Sequence, residues 1–335
     1  MQIILLSGGS GKRLWPLSND VRSKQFIKLL TTEKEKQSMV QRVYAQIRKA
    51  QPEAKITIGT NESQIEIIKE QLGKDVNIVL EPERRDTFPA IALACAYLSS
   101  EKNVGKDETV IILPCDPYTE VNFFKTLSDL DKIIKSNAAD IALIGIKPDS
   151  PASKYGYIVP GTKIDTSAFN VSRFVEKPDE EKAAKLIKEE NAYWNSGVFA
   201  FKLGFLLDIT KSNAQFKDFN DLYKNYNELE KISFDYKVVE KTKRAAVIPF
   251  HGKWTDIGTW RALADEMPYN VLGNVVQENN NNTFIINELD IPIIVLGVKN
   301  LVITASPEGI LVSDFNQSAN LKPFLDKLEK PVIPK

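Results

Sequence analysis

Over the first 150 residues, short unbroken apolar runs alternate with segments of helical periodicity, and this constrains the fold more than any other feature. Ile3 to Leu6 is apolar and stops at Ser7-Gly8-Gly9, the pattern of a buried strand entering a turn. Val40, Val43, Tyr44 and Ile47 then fall at i, i+3, i+4 and i+7, one face of a helix. KITIG (55–59) predicts the next strand, and Ile65, Ile68 and Leu72 the next helix face. VNIVL (76–80) and TVIIL (109–113) are further strands, separated by a strongly helical stretch from Ala90 to Leu98. Phe123, Leu127, Leu130 and Ile134 mark another helix ahead of the strand DIALIGI (140–146). Strands apolar on both faces cannot lie at a surface, so helices must cover each side. The expected class is α/β, with a Rossmann-like, mainly parallel sheet flanked by helices.

After residue 150 the pattern is mixed. YGYIV (155–159), VSRFVEK (171–177) and SGVFAFK (196–202) predict strands, and Glu180 to Asn191 a helix. From Asn270 the chain changes again, to the short β-runs GNVV, TFIIN, PIIVLG, LVITAS and GILVSD, punctuated by Gly, Asn and Pro. These predict a small C-terminal all-β module after a boundary near residue 266. The expected organisation is therefore an α/β domain over 1–265 and a β-module over 266–335. No repeat period is visible in the module, so a solenoid is not expected.

Composition narrows the chemistry. Lys and Arg (44) balance Asp and Glu (44), so nothing in the net charge draws nucleic acid or an anionic membrane as a partner. Any anion site must be built locally. The two cysteines, Cys95 and Cys115, lack metal or redox spacing and suit a reducing, cytoplasmic location. His251 is the single histidine, which excludes multi-histidine metal sites; it reads as a loop residue with a structural hydrogen bond. The apolar start lacks a basic leader and ends in glycines, unlike an export signal. No apolar stretch approaches the ~20 residues that a membrane span requires.

The most informative segment is Leu6-Ser7-Gly8-Gly9-Ser10-Gly11-Lys12-Arg13-Leu14-Trp15-Pro16. A strand ends in a glycine-rich turn followed by two cations. Glycines let backbone N–H groups approach a polyphosphate closely. The Walker A pattern fails, because Leu6 and Arg13 stand where Gly and Ser/Thr are required. The dinucleotide pattern fails too, with Leu14 in place of a third glycine. Asp116 follows TVIIL and so lies at the carboxyl end of a sheet strand, where open α/β sheets bind ligands.

Gly-Gly-x-Gly-x-Arg-Leu-x-Pro resembles the signature of the sugar-nucleotidyltransferase family. Trp15-Pro16-Leu17-Ser18 and Lys24-Gln25-Phe26 are similar to its mannose-1-phosphate guanylyltransferase branch. Further matches follow in order: Glu81-Pro82, Leu113-Pro114-Cys115-Asp116, Gly156-Tyr157-Ile158, Phe174-Val175-Glu176-Lys177-Pro178, Trp194-Asn195-Ser196-Gly197 and Trp254-Thr255-Asp256-Ile257-Gly258. The resemblance implies an enzyme that forms GDP-mannose and pyrophosphate from GTP and mannose 1-phosphate. A sugar phosphate is already ionised near neutral pH, its second pKa being about 6, so no general base is needed. Catalysis becomes positioning plus charge neutralisation.

By the same resemblance Arg13 and Lys24 are triphosphate-contacting cations, and Asp116 and Asp256 hold Mg²⁺, a hard ion suited to oxygen ligands. Lys177 binds the sugar 1-phosphate, with Glu176 and Asn195 on the sugar hydroxyls. Gly8, Gly9 and Gly11 bring backbone to the nucleotide. Glu81 accepts from the N1–H and 2-amino group of guanine and disfavours bases lacking those donors. A homodimer is the family expectation. The four tryptophans are expected in core or cavity walls.

Three positions depart from the pattern. Ser23 stands where proline is usual, which predicts a less rigid loop around Lys24. Pro117 replaces a histidine beside Asp116, and Asp86 an asparagine near the nucleotide. They leave open another base or sugar for the same reaction, or a non-catalytic relative that binds a nucleotide sugar. The tail is too short for the isomerase module of some relatives.

Overall fold

The computed structural model describes residues 1–9, 12–31 and 36–328. Its centre is a nine-stranded sheet. In spatial order the strands are Asn77–Glu81, Lys55–Asn61, Gln2–Leu6, Thr109–Pro114, Tyr193–Lys202, Ile141–Ile146, Ala245–Phe250, Phe169–Val175 and Tyr157–Lys163. The first four pair in parallel, as the alternating pattern predicts. Ile141–Ile146 and Ala245–Phe250 form a second parallel pair. Tyr193–Lys202 is inserted antiparallel between the two groups, and Phe169–Val175 also runs against the rest. The sheet is therefore mixed, a correction to the mainly parallel arrangement. An apolar run fits a doubly covered strand in either direction, so composition cannot reveal which way it points.

Two core clusters cover the faces. Ile3, Leu5, Ile111 and Ile144 point to one, with Val40, Val43 and Ile47 of the helix Met39–Ala50. Ile4, Val110, Ile112 and Leu143 point to the other, against the helix Thr87–Ser100. This alternation follows from the two-residue period of a strand. The helix Thr87–Ser100 buries ten residues around its circumference, because further helices at Leu203–Asn213 and Phe219–Lys224 wrap its outer side. Met39–Ala50 starts at a capping box, Ser38 accepting from the Gln41 N–H while the Gln41 side chain accepts from the Ser38 N–H. The helix expected across Phe123 to Ile134 is broken into Val121–Lys125 and Leu127–Lys135.

The C-terminal β-runs are present, but they stack as a short parallel coil. Val271–Leu272 pairs with Phe284–Asn287, which pairs with Leu301–Ser306, all in parallel. Val275–Glu278 pairs likewise with Ile293–Leu296. Phe284 lies opposite Val302, Val275 opposite Ile293 and Asn281 opposite Lys299, each partner the same number of residues further on. A small solenoid is thus present where none was expected. With so few turns, each carrying one or two inward apolar residues, the period is too brief to stand out in the sequence. The module is not wholly β, because the helix Lys322–Leu328 follows the coil.

Phe284, Ile286, Val302, Leu311 and Leu325 join the same core cluster as the central sheet. The coil also grips the loop that precedes Lys24. Arg22 makes a two-pronged ion pair with Glu288, both bonds 2.8 Å, and the Ser306 hydroxyl donates to the Pro16 carbonyl at 2.7 Å. Gly309 at φ +146° lies against Trp15, whose ring is 2.6 Å from where a Cβ would stand. Among the described residues, no helix is long and apolar enough to cross a membrane.

Candidate functional site

The site lies at the carboxyl ends of Gln2–Leu6 and Thr109–Pro114, where the chain leaves adjacent parallel strands and a crevice opens. Asp116 stands two residues beyond the end of the second strand. The next three residues, Pro117–Thr119, form a ribbon with Trp254–Asp256 in which Asp256 pairs with Pro117. That ribbon brings together two aspartates far apart in sequence. Pro117 opens its strand, a position that tolerates a missing N–H.

Lys24 completes the cluster. Its ammonium lies 2.6 Å from Asp116 Oδ2 and 3.3 Å from Asp256 Oδ1. Burial alone would lower the lysine pKa, but the two carboxylates outweigh it and hold the ammonium charged well above its usual range. Both neighbours of Lys24 tie the glycine loop. The Ser23 hydroxyl donates to the Gly9 carbonyl at 2.9 Å and accepts from Gln64 Nε2 at 2.6 Å. The Gln25 amide donates to the Ser7 carbonyl at 2.8 Å. Two loop carbonyls are thereby engaged by side chains. Ser23, fully buried, supplies by hydrogen bonds a restraint that proline would supply through its ring, so the loop is tethered at the position expected to loosen it.

Two cavities meet at this cluster. The larger, about 560 Å³, is bounded by Gly8, Gly9, Lys24, Glu81, Arg84 and Asp86, and includes Asp116 in its wall. The smaller, about 210 Å³, is bounded by Tyr155, Glu176, Lys177, Asn195, Trp254 and Asp256, and again includes Asp116. Pro114, Gly197 and Asp235 also belong to both walls.

In the larger cavity Glu81 ends the edge strand Asn77–Glu81. Burial pushes its carboxyl up to about 7, against the opposing pull of the Tyr226 hydroxyl and Arg84. Its Oε1 lies 2.8 Å from where a Cβ on Gly8 would stand, so Gly8 allows the close approach of loop and carboxylate. Asp86 caps the helix Thr87–Ser100, accepting from the Thr87 N–H at 2.7 Å. It does so at φ 73° and ψ −177°, a region almost restricted to glycine.

In the smaller cavity a bulge in Tyr193–Lys202, between Asn195 and Phe199, re-aims Asn195 toward the site. Asn195 donates to Asp235 at 2.7 Å and accepts from the Gly197 N–H at 3.0 Å. The Glu176 side chain is 5% exposed and pairs with Lys177 at 2.7 Å. Burial opposes the Lys177 charge, but the Glu176 bond and charge raise its pKa overall. Lys177 adopts φ +43°, a strained conformation for a lysine. A Cβ on Gly156 would stand 2.5 Å from Glu176 Oε2, so that glycine leaves room for the carboxylate.

Most of the residues singled out from sequence converge here. Gly8, Gly9, Lys24, Glu81 and Asp116 line the larger cavity, and Glu176, Lys177, Asn195 and Asp256 the smaller. Gly11 lies outside the described residues. Arg13 lines neither; it is exposed beside Gly258, facing a third cavity with Lys154 and Lys322. His251 is exposed in a loop and lines neither cavity, and among the described residues its side chain lacks the structural hydrogen bond expected of it. Trp260 is core, Trp194 and Trp254 pack on Tyr155, and Trp15 packs on the coil. Cys95 and Cys115 are separate buried thiols.

Tyr226 was not legible as a site residue, and Asp235, within the family-like pair Asp235-Tyr236, had no role assigned from sequence. Asp235 belongs to both cavity walls, and burial beside Glu176 pushes its carboxyl up to about 6. Both come from the helical stretch after residue 203, which carries no phosphate-loop or strand-end signal.

The nucleotidyl transferase family model matches residues 2–270. A mannose-1-phosphate guanylyltransferase of Escherichia coli is 30% identical, the alignment covering 98% of this chain and 74% of that protein. One from Salmonella muenchen is 31% identical, covering 97% and 73%. Among solved structures, a mannose-1-phosphate geranyltransferase of Thermus thermophilus superposes with a TM-score of 0.79 at 25% identity, covering 98% of both chains.

Proposed function

The chain belongs to the nucleotidyl transferase family, and from that premise we propose that it is a cytoplasmic, Mg²⁺-dependent mannose-1-phosphate guanylyltransferase. The observation that carries the proposal is the meeting of the two cavities at Asp116, Lys24 and Asp256. A nucleotide fits the larger space and a sugar phosphate the smaller, so their reacting phosphates would meet at the shared wall. The names of the relatives carry mannose 1-phosphate and a guanylyl group, which supports GTP as the donor.

In the reaction an oxygen of mannose 1-phosphate bonds to the α-phosphorus of GTP. The bond from that phosphorus to the bridging oxygen breaks, and pyrophosphate leaves. The attacking oxygen is already ionised, so no side chain need take its proton. Lys24 neutralises charge on the triphosphate, Arg13 would join it from its place beside Gly258 outside the two cavities, and Lys177 binds the sugar phosphate. Glu176 and Asn195 accept and donate at the sugar hydroxyls. Gly8, Gly9 and Gly11 give the nucleotide close backbone, and Glu81 pairs with the guanine edge.

Asp116 and Asp256 would hold Mg²⁺. Their fit is supported by the way they already converge on one cation, the Lys24 ammonium. No group of three or more candidate ligands occurs among the described residues, so substrate phosphates and water would complete the shell, as Mg²⁺ prefers. When bound, the ion supplies charge neutralisation at the phosphates.

We further take residues 1–265 as the catalytic domain and 266–335 as the β-module. A homodimer is supported by an exposed apolar row on the coil, where Val276 pairs with Ile294 beside Leu296, each more than half exposed. The cytoplasmic assignment rests on the two unpaired, buried thiols.

The test is pyrophosphate release with mannose 1-phosphate and Mg²⁺, comparing GTP with ATP, UTP and dTTP. Release with GTP, abolished by Asp116→Asn, is the expected result. Release with another nucleotide moves the substrate assignment but keeps the reaction. No release from folded protein with any nucleotide or sugar 1-phosphate favours a binding-only relative.

A further inference from the structure

The mechanism leaves unused a buried polar group that stands behind Glu81 in the wall of the nucleotide cavity. Tyr226 is 2% exposed, and its ring belongs to the core cluster under the helix Thr87–Ser100. Its hydroxyl donates to Glu81 Oε2 at 3.2 Å. The other carboxylate oxygen, Oε1, is the atom nearest the open side of Gly8. One oxygen of Glu81 is thus anchored to the core, while the other lies at the glycine loop.

The turn that carries Tyr226 is itself fixed. Arg85 donates from Nε and Nη2 to the Leu229 carbonyl at 3.2 and 3.1 Å, holding the segment just after Tyr226. Arg85 also pairs with Glu83 at 2.8 Å, which ties this anchor to the loop following Glu81. Glu81, by contrast, ends an edge strand and has a flexible side chain with no other described hydrogen bond.

We infer that Tyr226 is a positioning residue for base choice, holding the Glu81 carboxylate toward the nucleotide cavity so that it meets guanine and no other base edge. The inference rests on the assignment of Glu81 to guanine and deepens it. Guanine presents two adjacent donors, N1–H and the 2-amino group. Hypoxanthine presents only N1–H, and adenine presents an acceptor at N1. A carboxylate has lone pairs enough to accept from Tyr226 and from both guanine donors. It can discriminate only if its orientation is held and it stays ionised.

Tyr226 contributes to both requirements. Tyr226 and Arg84 face Glu81 and stabilise its charge against burial, which pushes the carboxyl up to about 7. Arg85 and Glu83 act in turn on Tyr226, with opposite sign. Removing the hydroxyl therefore raises the Glu81 pKa further and frees its rotation. Phenylalanine keeps the ring in the core, so the fold is retained.

The experiment measures kcat/KM for GTP and for ITP, which lacks the 2-amino group, between pH 6 and 8.5. Wild type, Tyr226→Phe and Glu81→Gln are compared, because the ionisations of the substrates are common to all three. Tyr226→Phe is expected to lower the GTP:ITP ratio about tenfold at pH 7, the scale of one lost charge-assisted hydrogen bond. Its acid limb with GTP should shift to higher pH, so the deficit shrinks by pH 8.5. Glu81→Gln should abolish both the limb assigned to Glu81 and most of the GTP preference. A wild-type ratio and unmoved limb in Tyr226→Phe, with Glu81→Gln behaving as expected, overturns the role of Tyr226. Retention of the GTP preference in Glu81→Gln overturns instead the reading of Glu81 beneath it.

Discussion

Replacing Ser23 by alanine removes one oxygen from a site with no solvent exposure, and the cost can be worked from its partners. The hydroxyl donates to the Gly9 carbonyl and accepts from the Gln64 amide, whose own oxygen accepts from Thr60 at 2.8 Å. Gln64 and Thr60 are also fully buried, so water cannot replace the lost partner. Each hydrogen bond contributes about 0.5–1.5 kcal/mol, and the stranded Gln64 donor costs about 1–3 kcal/mol. Because these contributions overlap, the expected loss is about 2–4 kcal/mol. Unfolding entropy near 2.1 cal/mol/K per residue gives ~0.7 kcal/mol/K for this chain, so Tm should fall by about 3–6 °C. The freed Gly9 carbonyl can turn toward the triphosphate, and Lys24 is the next residue. If about 1–2 kcal/mol of the loss appears in the transition state, kcat/KM for GTP falls about 5- to 30-fold. Ser23 has φ −63°, which proline accepts, so Ser23→Pro should regain about 0.4–1 kcal/mol through the unfolded chain. It should therefore melt between wild type and Ser23→Ala. Differential scanning calorimetry and steady-state kinetics read both effects. An alanine variant with wild-type Tm and kcat/KM would refute the claim that this hydrogen-bonded tether shapes the loop.

Asp235 is held protonated to unusually high pH, up to about 6, so the native state binds a proton that the unfolded chain has already released. The resulting destabilisation grows as pH rises from about 4 to 6, is full above about 6, and amounts to ~3 kcal/mol for a shift of two pKa units. Asp235→Asn keeps an oxygen for Asn195 and should raise stability at pH 7.5, with the gain vanishing toward pH 4; denaturant midpoints at the two pH values check the sign. Ile294→Asp places a charge in the exposed apolar row of the coil and should convert the proposed dimer to monomer in light scattering without altering the catalytic pockets. An unchanged mass at micromolar protein would remove that face from the dimer.

The sequence by itself determined the parallel half of the sheet, since apolar runs between amphipathic helices have few other ways to bury their surface. It also determined the glycine loop and the strand-end carboxylate, because each is a local signal of residue type beside a predicted strand. Local patterns carry no information about partner or direction. The antiparallel insertion of Tyr193–Lys202, the coil hidden in the C-terminal β-runs and the ribbon joining Asp116 to Asp256 were therefore decided only by tertiary pairing. The same holds for the residues that support the site. Ser23 appeared as a loosening substitution, but a buried hydroxyl ties or loosens a loop according to what stands opposite it, and only packing brought Gly9 and Gln64 there. Tyr226 lies in a short helix outside every motif, and Asp235 lies in a family-like pair whose residue types alone reveal no role. Their roles arise because low-dielectric burial magnifies the interactions of Glu81, Glu176 and Asn195 with whatever groups the fold sets beside them.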